Sequence, residues 1–128
     1  MKLFVYGTLK RGYGNHRLLR DATFLGQDTT TDKFMLVDCG FPYMFRPKLD
    51  LLLSGIPEKR VVGEVFETFN PEIVKDLDRL EGVEYGHYSR EVIEVEEFGE
   101  VQAYIACSPS VLPPCPVVND KYVWGHHD

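Results

Sequence analysis

The sequence predicts an α+β fold in which a mixed or antiparallel sheet curls towards a small barrel, with one main helix and short flanking helices. Several short segments rich in β-branched and aromatic residues are typical of strands, whereas a single segment after Asn70 has the spacing of a long amphipathic helix. Regular helices do not alternate with these strands, which argues against a doubly wound parallel sheet. The length of 128 residues suits one domain over residues 1–128.

The first elements in the chain are a strand and a glycine loop. Lys2 to Tyr6 is a short apolar run ended by Gly7, which is typical of a buried strand that enters a turn. Thr8 to Asn15 then indicates a sharply bent loop, and we expect Asn15 to cap a short helical stretch from His16 to Arg20. Three further strands are predicted, the last at a sheet edge because of its proline: Thr23 to Thr31, Lys33 to Val37 and Phe41 to Phe45.

The middle of the chain contains the main helix. Lys48 to Lys59 mixes leucines with glycine and proline, which predicts an irregular excursion or a hairpin tip before a strand from Arg60 to Phe69. Asn70 is a candidate helix N-cap, the following proline suits the first helical position, and Gly82 is placed to end the helix. Four apolar residues recur on one face of this helix: Ile73, Val74, Leu77 and Leu80.

Two strands and a tail complete the chain. Tyr88 to Glu96 and Glu100 to Cys107 are predicted strands on either side of a turn. From about residue 108 the chain is rich in proline, and we expect this tail to be extended or irregular.

Composition argues against several classes of partner. The net charge of −6 disfavours nucleic-acid binding, and no apolar run is long enough to span a membrane. The N-terminal apolar run is too short for a signal peptide, so a cytoplasmic location is expected. The three cysteines have no CxxC spacing, and the four histidines have no metal-ligand spacing, so we expect no metal site. His16, His87, His126 and His127 are therefore interpreted as surface or core-satisfying residues.

The glycine loop Tyr6-Gly7-Thr8-Leu9 is the first candidate site. A phosphate loop would need lysine and Ser/Thr where Tyr13 and Gly14 stand, so nucleotide binding is not indicated. A glycine loop after a buried strand can still present backbone N–H groups to an anion such as a carboxylate. By pattern alone, a purely structural turn is the commoner explanation.

Glu81 is the second candidate. It closes the helix, where the negative end of the helix dipole disfavours a charged carboxylate and should raise the pKa of the side chain, as a general acid/base requires. By pattern alone, a solvated glutamate is the commoner explanation. Glu84, three residues later, remains an alternative proton carrier. Asp78 could orient Arg79 or Arg90, although a simple surface role is the commoner explanation.

Together these stretches resemble the gamma-glutamylcyclotransferase-like family, in particular its gamma-glutamylamine cyclotransferase branch. The resemblance spans about residues 3–106 and rests on motifs that follow one another in the family's order. They are Phe4-Val5-Tyr6-Gly7-Thr8-Leu9-Lys10-Arg11-Gly12 with Asn15-His16, Phe41-Pro42-Tyr43, Val62-Gly63-Glu64-Val65-Phe66, and Leu77-Asp78-x-x-Glu81-Gly82-Val83 with Tyr88 and Arg90.

The resemblance implies an enzyme that needs no cofactor and acts on a gamma-glutamyl compound. The alpha-amine attacks the gamma-carbonyl of the same substrate, which releases 5-oxoproline and an amine or amino acid, an acyltransferase- or lyase-type amide cleavage. It also implies that Glu81 moves the protons, that the backbone of Gly7, Thr8 and Leu9 beside Tyr6 holds the alpha-carboxylate or the oxyanion, and that Tyr88 lines the pocket and donates a hydrogen bond.

Two other readings remain open from the sequence. One is a non-catalytic small-molecule binding module that uses the same pocket, because one fold can carry several functions. The other is a protein-interaction domain that uses the tail around Tyr122, Val123 and Trp124. The sequence leaves the leaving group and the oligomeric state open.

Overall fold

The computed structural model describes residues 1–38, 40–107 and 112–125, and within them the fold is α+β, as predicted. Its strands, helices and 3-10 helices follow one another along the chain. They are β1 (Lys2–Val5), a 3-10 helix (His16–Leu19), β2 (Thr23–Thr29), β3 (Met35–Asp38), β4 (Pro42–Phe45), α1 (Leu49–Leu53), β5 (Arg60–Glu67), α2 (Pro71–Leu80), a second 3-10 helix (Val83–Tyr85), β6 (Tyr88–Val95), β7 (Gly99–Ala106), β8 (Val117–Val118) and β9 (Lys121–Tyr122).

The main sheet is mixed, and β1 lies near its centre. The strand order is β6-β7-β1-β5-β9-β8, and β2 also pairs with β5. β1 runs antiparallel to β5, with Leu3 opposite Phe66, and parallel to β7, where Leu3 meets Gln102. The short strands β3 and β4 form a separate antiparallel pair. β1 therefore lies between β7 and β5, and the loop that follows it begins between these two strands.

The sheet is strongly curled. Beyond the end of β2, Thr30 forms an isolated antiparallel bridge with Val95, the last residue of β6. Thr31 N–H donates to the Glu94 carbonyl at 3.0 Å, and Glu96 N–H donates to the Thr29 carbonyl at 2.9 Å. The two edges touch at this corner without a continuous ladder between β2 and β6, so within the described part of the chain the sheet is not closed into a barrel.

Alternate residues of β1 pack into two hydrophobic clusters, as the period of two in a strand requires. Leu3 and Val5 pack with Ile73 and Leu77 of α2, which covers this face of the sheet. Phe4 belongs to the second cluster, with residues of β3 to β7 and β9. Because β1 is buried on both faces, packing fixes its position tightly. The start of the loop that follows β1 is therefore fixed as well.

The main helix begins and ends where the sequence predicted. The Asn70 side chain accepts a hydrogen bond from the Glu72 N–H at 3.0 Å, and Pro71 occupies the first turn. Gly82 has a φ of 66°, a left-handed conformation that favours glycine and ends the helix. These signals act within a few residues of one another, and for that reason the sequence alone reveals them.

Two segments differ from the prediction. The irregular excursion predicted at Lys48 to Lys59 contains α1, which is anchored by the fully buried Leu51. The tail predicted to be irregular contains a hairpin of β8 and β9, whose two-residue turn has positive φ at Asn119 (52°) and Asp120 (63°). Asn and Asp adopt positive φ more readily than most residues, so the Asn-Asp pair is compatible with a two-residue hairpin turn, which the proline count obscured. Residues 108–111 and the ending His126-His127-Asp128 lie outside the described residues.

No helix in the described ranges is long and apolar enough to cross a membrane. Cys107 is exposed and Cys115 is buried, and neither takes part in a disulfide among the described residues. Cys39 lies outside those residues.

Gly63 in β5 tests how tightly the sheet packs at β1. A Cβ atom at this position would lie 2.5 Å from the Val5 carbonyl oxygen and 2.6 Å from the Phe4 ring. We therefore expect Gly63→Ala to lower the free energy of unfolding by about 1–3 kcal/mol, measured by urea denaturation. Gly14→Ala is the control, because nothing lies within 4 Å of its Cβ position. Equal stability of Gly63→Ala and the parent protein would contradict this packing.

Candidate active site

A cavity of about 430 Å³ opens where β1, β4, α2, β6 and β7 meet. This volume is in the usual range for a small-molecule site. The six residues that the sequence proposed for the site all line it: Tyr6, Gly7, Thr8, Leu9, Glu81 and Tyr88. The sequence did not propose several other residues of the wall, among them Asn15, Pro42, Tyr43, Leu80, His87 and Tyr104.

The turn Gly7–Lys10 forms one side of the cavity. The Lys10 N–H donates to the Gly7 carbonyl at 3.0 Å and closes the turn. Gly7 packs so closely that a Cβ atom there would lie 2.7 Å and 2.9 Å from two atoms of the Pro42 ring. Within the described residues, the N–H groups of Gly7, Thr8 and Leu9 meet no hydrogen-bond acceptor. Because buried N–H groups are rarely left unpaired, this turn is suited to bind an anionic or carbonyl oxygen.

Asn15 and His16 hold the same turn from the following loop. The Asn15 N–H donates to the Thr8 carbonyl at 3.0 Å, and the Asn15 side-chain amide donates to the Thr8 hydroxyl at 2.8 Å. His16 Nδ1 lies 3.1 Å from the Leu9 carbonyl oxygen. The sequence predicted that the Asn15 side chain caps the helix, but it makes no capping hydrogen bond and instead fixes Thr8. His16 is a core-satisfying residue, as predicted.

Glu81 enters the cavity from the end of α2. Its N–H completes the last helical turn by donating to the Leu77 carbonyl at 2.9 Å, and Gly82 then reverses the chain. Burial raises the pKa of Glu81 from 4.5 to about 7. No hydrogen bond between described residues ends on its carboxylate. The upward direction of this pKa shift is the one that a general acid/base requires, and burial of the side chain is its cause.

Among the described residues, four tyrosines line the cavity: Tyr6, Tyr43, Tyr88 and Tyr104. The Tyr6 hydroxyl donates to the Tyr104 carbonyl at 2.6 Å, so Tyr6 contributes its ring to the cavity rather than a donor. The Tyr88 hydroxyl donates to the Pro42 carbonyl at 3.4 Å, a long and therefore weak hydrogen bond. Burial, followed by the neighbouring Tyr88 and Glu81, raises the pKa of Tyr6 well above 10, so Tyr6 stays neutral.

Asp78 anchors the end of α2 to the sheet, contrary to the surface role predicted for it. It accepts a hydrogen bond from the Tyr104 hydroxyl at 2.6 Å and from Arg90 Nε at 3.0 Å. Asp78 is one helical turn before Glu81, so these contacts orient the turn that carries Glu81. The contact with Arg90 was an alternative that the sequence allowed. The contact with Tyr104 was missed, because Tyr104 lies on β7 and reaches the helix only through the curl of the sheet.

Few charged side chains line the cavity. Among its lining residues Glu81 is the one carboxylate, and the same set includes no lysine or arginine. Glu84 is exposed and does not line the cavity. His87 does line it, and its ring packs against Gly82, where a Cβ atom would lie 2.6 Å from Nδ1. The cavity thus combines one proton-exchanging carboxylate with neutral hydrogen-bond donors.

Comparison with known proteins gives consistent relatives. The family model described as "Gamma-glutamyl cyclotransferase, AIG2-like" matches residues 3–122. A protein of Arabidopsis thaliana, provisionally named a gamma-glutamylcyclotransferase, is 41% identical over 99 residues, which are 73% of this chain and 50% of that protein. The gamma-glutamylaminecyclotransferase of Rattus norvegicus is 36% identical over 100 residues, covering 73% of this chain and 62% of the relative. The chain therefore spans about half to three fifths of these two relatives.

A solved structure supports the same relationship. The crystal structure of an AIG2-like protein from Mus musculus superposes with a TM-score of 0.62 at 28% identity. The match covers 84% of this chain and 76% of the mouse chain.

Proposed function

Because the chain belongs to the gamma-glutamyl cyclotransferase, AIG2-like family, we propose that it cleaves gamma-glutamyl compounds by cyclisation. The alpha-amine of the gamma-glutamyl group attacks its own gamma-carbonyl carbon and forms a new C–N bond. The bond between that carbon and the original amide nitrogen then breaks. 5-Oxoproline and a free amine or amino acid are released.

One observation carries this proposal: a single cavity holds a carboxyl group with a pKa of about 7 and a turn of unpaired N–H donors. The reaction needs both. The substrate ammonium must lose a proton before it can attack, and the departing nitrogen must gain one. A group that is partly ionised and partly protonated near neutral pH can do each in turn, so we assign both transfers to Glu81.

The turn Gly7–Lys10 supplies the electrostatic part of the proposal. Attack on the gamma-carbonyl places negative charge on its oxygen, and the substrate carries an alpha-carboxylate throughout. Because no lysine or arginine is among the described residues that line the cavity, we assign either group to neutral donors, the N–H groups of Gly7, Thr8 and Leu9. Preorganised donors of this kind typically contribute about 3–4 kcal/mol to transition-state stabilisation.

The shape of the cavity supports an intramolecular reaction. Nucleophile and electrophile belong to one substrate, so the protein mainly has to fold that substrate into the attacking geometry. The rings of Tyr6, Tyr43 and Tyr88 line the cavity and form part of the wall against which the substrate would fold.

The direct test is release of 5-oxoproline from a panel of gamma-glutamyl amines and gamma-glutamyl amino acids. Turnover would support the proposal, and the ranking of substrates would identify the leaving group. A folded protein that binds members of the panel without releasing 5-oxoproline would be a binding module, and the proposal would be wrong.

The pH dependence of kcat/KM provides a second prediction. Glu81 acts first as a base and must be ionised, so kcat/KM should rise with pH through an apparent pKa of about 7. His87 also lines the cavity, and its imidazole is a second group that can exchange protons there. The profile of His87→Gln separates the two groups, because it should keep the same inflection. Loss of the inflection in this variant would assign it to His87 instead.

A further inference from the structure

The C-terminal hairpin is joined to the sheet that carries the cavity. β9 pairs in parallel with β5, with Val61 opposite Tyr122. Tyr122 is completely buried, and its hydroxyl donates to the Pro57 carbonyl at 2.5 Å. The Val123 N–H donates to the Pro116 carbonyl at 2.9 Å. The chain therefore arrives at Trp124 in a well-defined position.

Trp124 and Gly125 lie against the loop that follows the cavity turn. The Trp124 ring centroid is 5.1 Å from that of Tyr13. A Cβ atom on Gly125 would lie only 2.0 Å from the Tyr13 hydroxyl oxygen, so these two segments of the chain are in direct contact. The tail thus packs behind the turn rather than presenting the aromatic surface that a protein-interaction domain would need.

Lys10 makes the polar link between the two segments. Its Nζ donates to the Trp124 carbonyl at 2.5 Å, and it lies over the Tyr13 ring at 5.4 Å from the centroid. The residue is only 5% exposed, and burial lowers its pKa although the nearby Glu64 acts in the opposite direction. Burying an ammonium group is costly, so its hydrogen bond and its contact with the ring stabilise one fixed position.

Lys10 is also the residue whose N–H closes the turn. Its backbone bonds Gly7, and its side chain bonds the hairpin 114 residues away in sequence. We propose that Lys10 is a positioning residue, through which the C-terminal hairpin sets the position of the Gly7, Thr8 and Leu9 N–H groups at the cavity. The inference rests on the proposed function for its catalytic consequence, but the link itself can be measured without turnover.

Tryptophan fluorescence tests the link directly, because Trp124 is the single tryptophan of the sequence. Lys10→Met should increase quenching of Trp124 by acrylamide and shift its emission to the red. Lys59→Met is the matched control and should leave the Trp124 emission unchanged. Lys59 also bonds the hairpin, but its exposed ion pair is with Asp120 in the turn between β8 and β9. Unchanged emission and quenching in Lys10→Met would overturn the link.

Kinetics test its consequence, with two substrates that differ only at the alpha-carboxylate. With the best substrate of the panel, Lys10→Met should lower kcat/KM by about 10- to 100-fold, the range for losing a charged hydrogen bond. Here the N–H groups of the turn are assigned to the alpha-carboxylate rather than to the oxyanion. With the alpha-carboxamide analogue, which has no carboxylate for the turn to hold, the loss should therefore be less than about threefold. A general loss of structure would affect both substrates equally, and that result would overturn the positioning role.

Gly125→Ala disturbs the link from the other side and keeps Lys10. Gly125 is exposed, its φ is 83°, and its new Cβ would press on Tyr13. We expect the same dependence on the alpha-carboxylate as in Lys10→Met, and equal losses with both substrates would count against the proposal. If the parent protein turns over no gamma-glutamyl compound, the proposed function is wrong, while the fluorescence comparison still decides whether the link exists.

Discussion

Glu81→Gln should lower kcat for 5-oxoproline release by about 10²- to 10⁴-fold, the usual contribution of a general acid/base. Glutamine has nearly the same shape but cannot take a proton from the substrate ammonium or return one to the leaving nitrogen. KM should change much less, since the turn Gly7–Lys10 still holds the substrate. Single-turnover measurement of 5-oxoproline, with enzyme in excess, would separate the chemical step from substrate binding.

The same variant should be at least as stable as the parent protein, which makes its loss of activity interpretable. The folded state binds the Glu81 proton more tightly than the unfolded state, because burial raises its pKa from 4.5 to about 7. The parent protein therefore loses stability as pH rises through this window, and above pH 7 the buried charge costs most. Glu81→Gln should melt at a higher temperature than the parent at pH 8 and at a similar temperature at pH 4.

Glu84→Gln is the matched control for Glu81→Gln. Glu84 is exposed and lies outside the cavity wall, so its substitution should leave kcat within about twofold of the parent. If Glu84→Gln were inactive and Glu81→Gln active, Glu84 would be the proton carrier and the assignment to Glu81 would be wrong.

Gly7→Ala should lower kcat/KM by about 10²- to 10³-fold, comparable to removing a donor from an oxyanion hole. Its Cβ would lie 2.7 Å from the Pro42 ring, which is too rigid to move aside, so the turn must shift. A shift of the turn displaces the N–H groups that are proposed to hold the substrate. Steady-state kinetics on the best substrate of the panel would measure the effect.

Gly14→Ala is the control for Gly7→Ala, because it adds the same methyl group to the same loop where nothing lies within 4 Å. Its kcat/KM should stay within about twofold of the parent value. Circular dichroism of both variants checks that they are folded. Full activity in Gly7→Ala would mean that the position of the turn is unimportant for catalysis.

Much of the fold was predictable because its signals are local. Asn70, Pro71 and Gly82 bound α2 through contacts within one turn of the helix. The helix α1 was missed because it is only five residues long and depends on the burial of Leu51 in the core. The hairpin of β8 and β9 was missed for a different reason, because the surrounding prolines obscured the local turn at Asn119 and Asp120.

The candidate site shows the same division. The glycine turn and Glu81 carry motifs that the sequence displays, and the fold places them at one cavity. The roles of Lys10 and Asp78 depend on partners that only the folded chain supplies, Trp124 and Tyr104. A charged residue next to a motif therefore looked like an ordinary surface residue until its partner was known.

The central place of β1 affects the order in which the protein can form during synthesis. Leu3 leaves the ribosome before its neighbours in the sheet, Phe66 and Gln102. β1 must therefore wait for β5 and β7, and contacts between residues so far apart in sequence slow folding. While it waits, its apolar residues are open to chaperones and to other nascent chains. A pause in translation before β7 would lengthen that exposure, so synonymous codon changes there should alter the yield of folded protein.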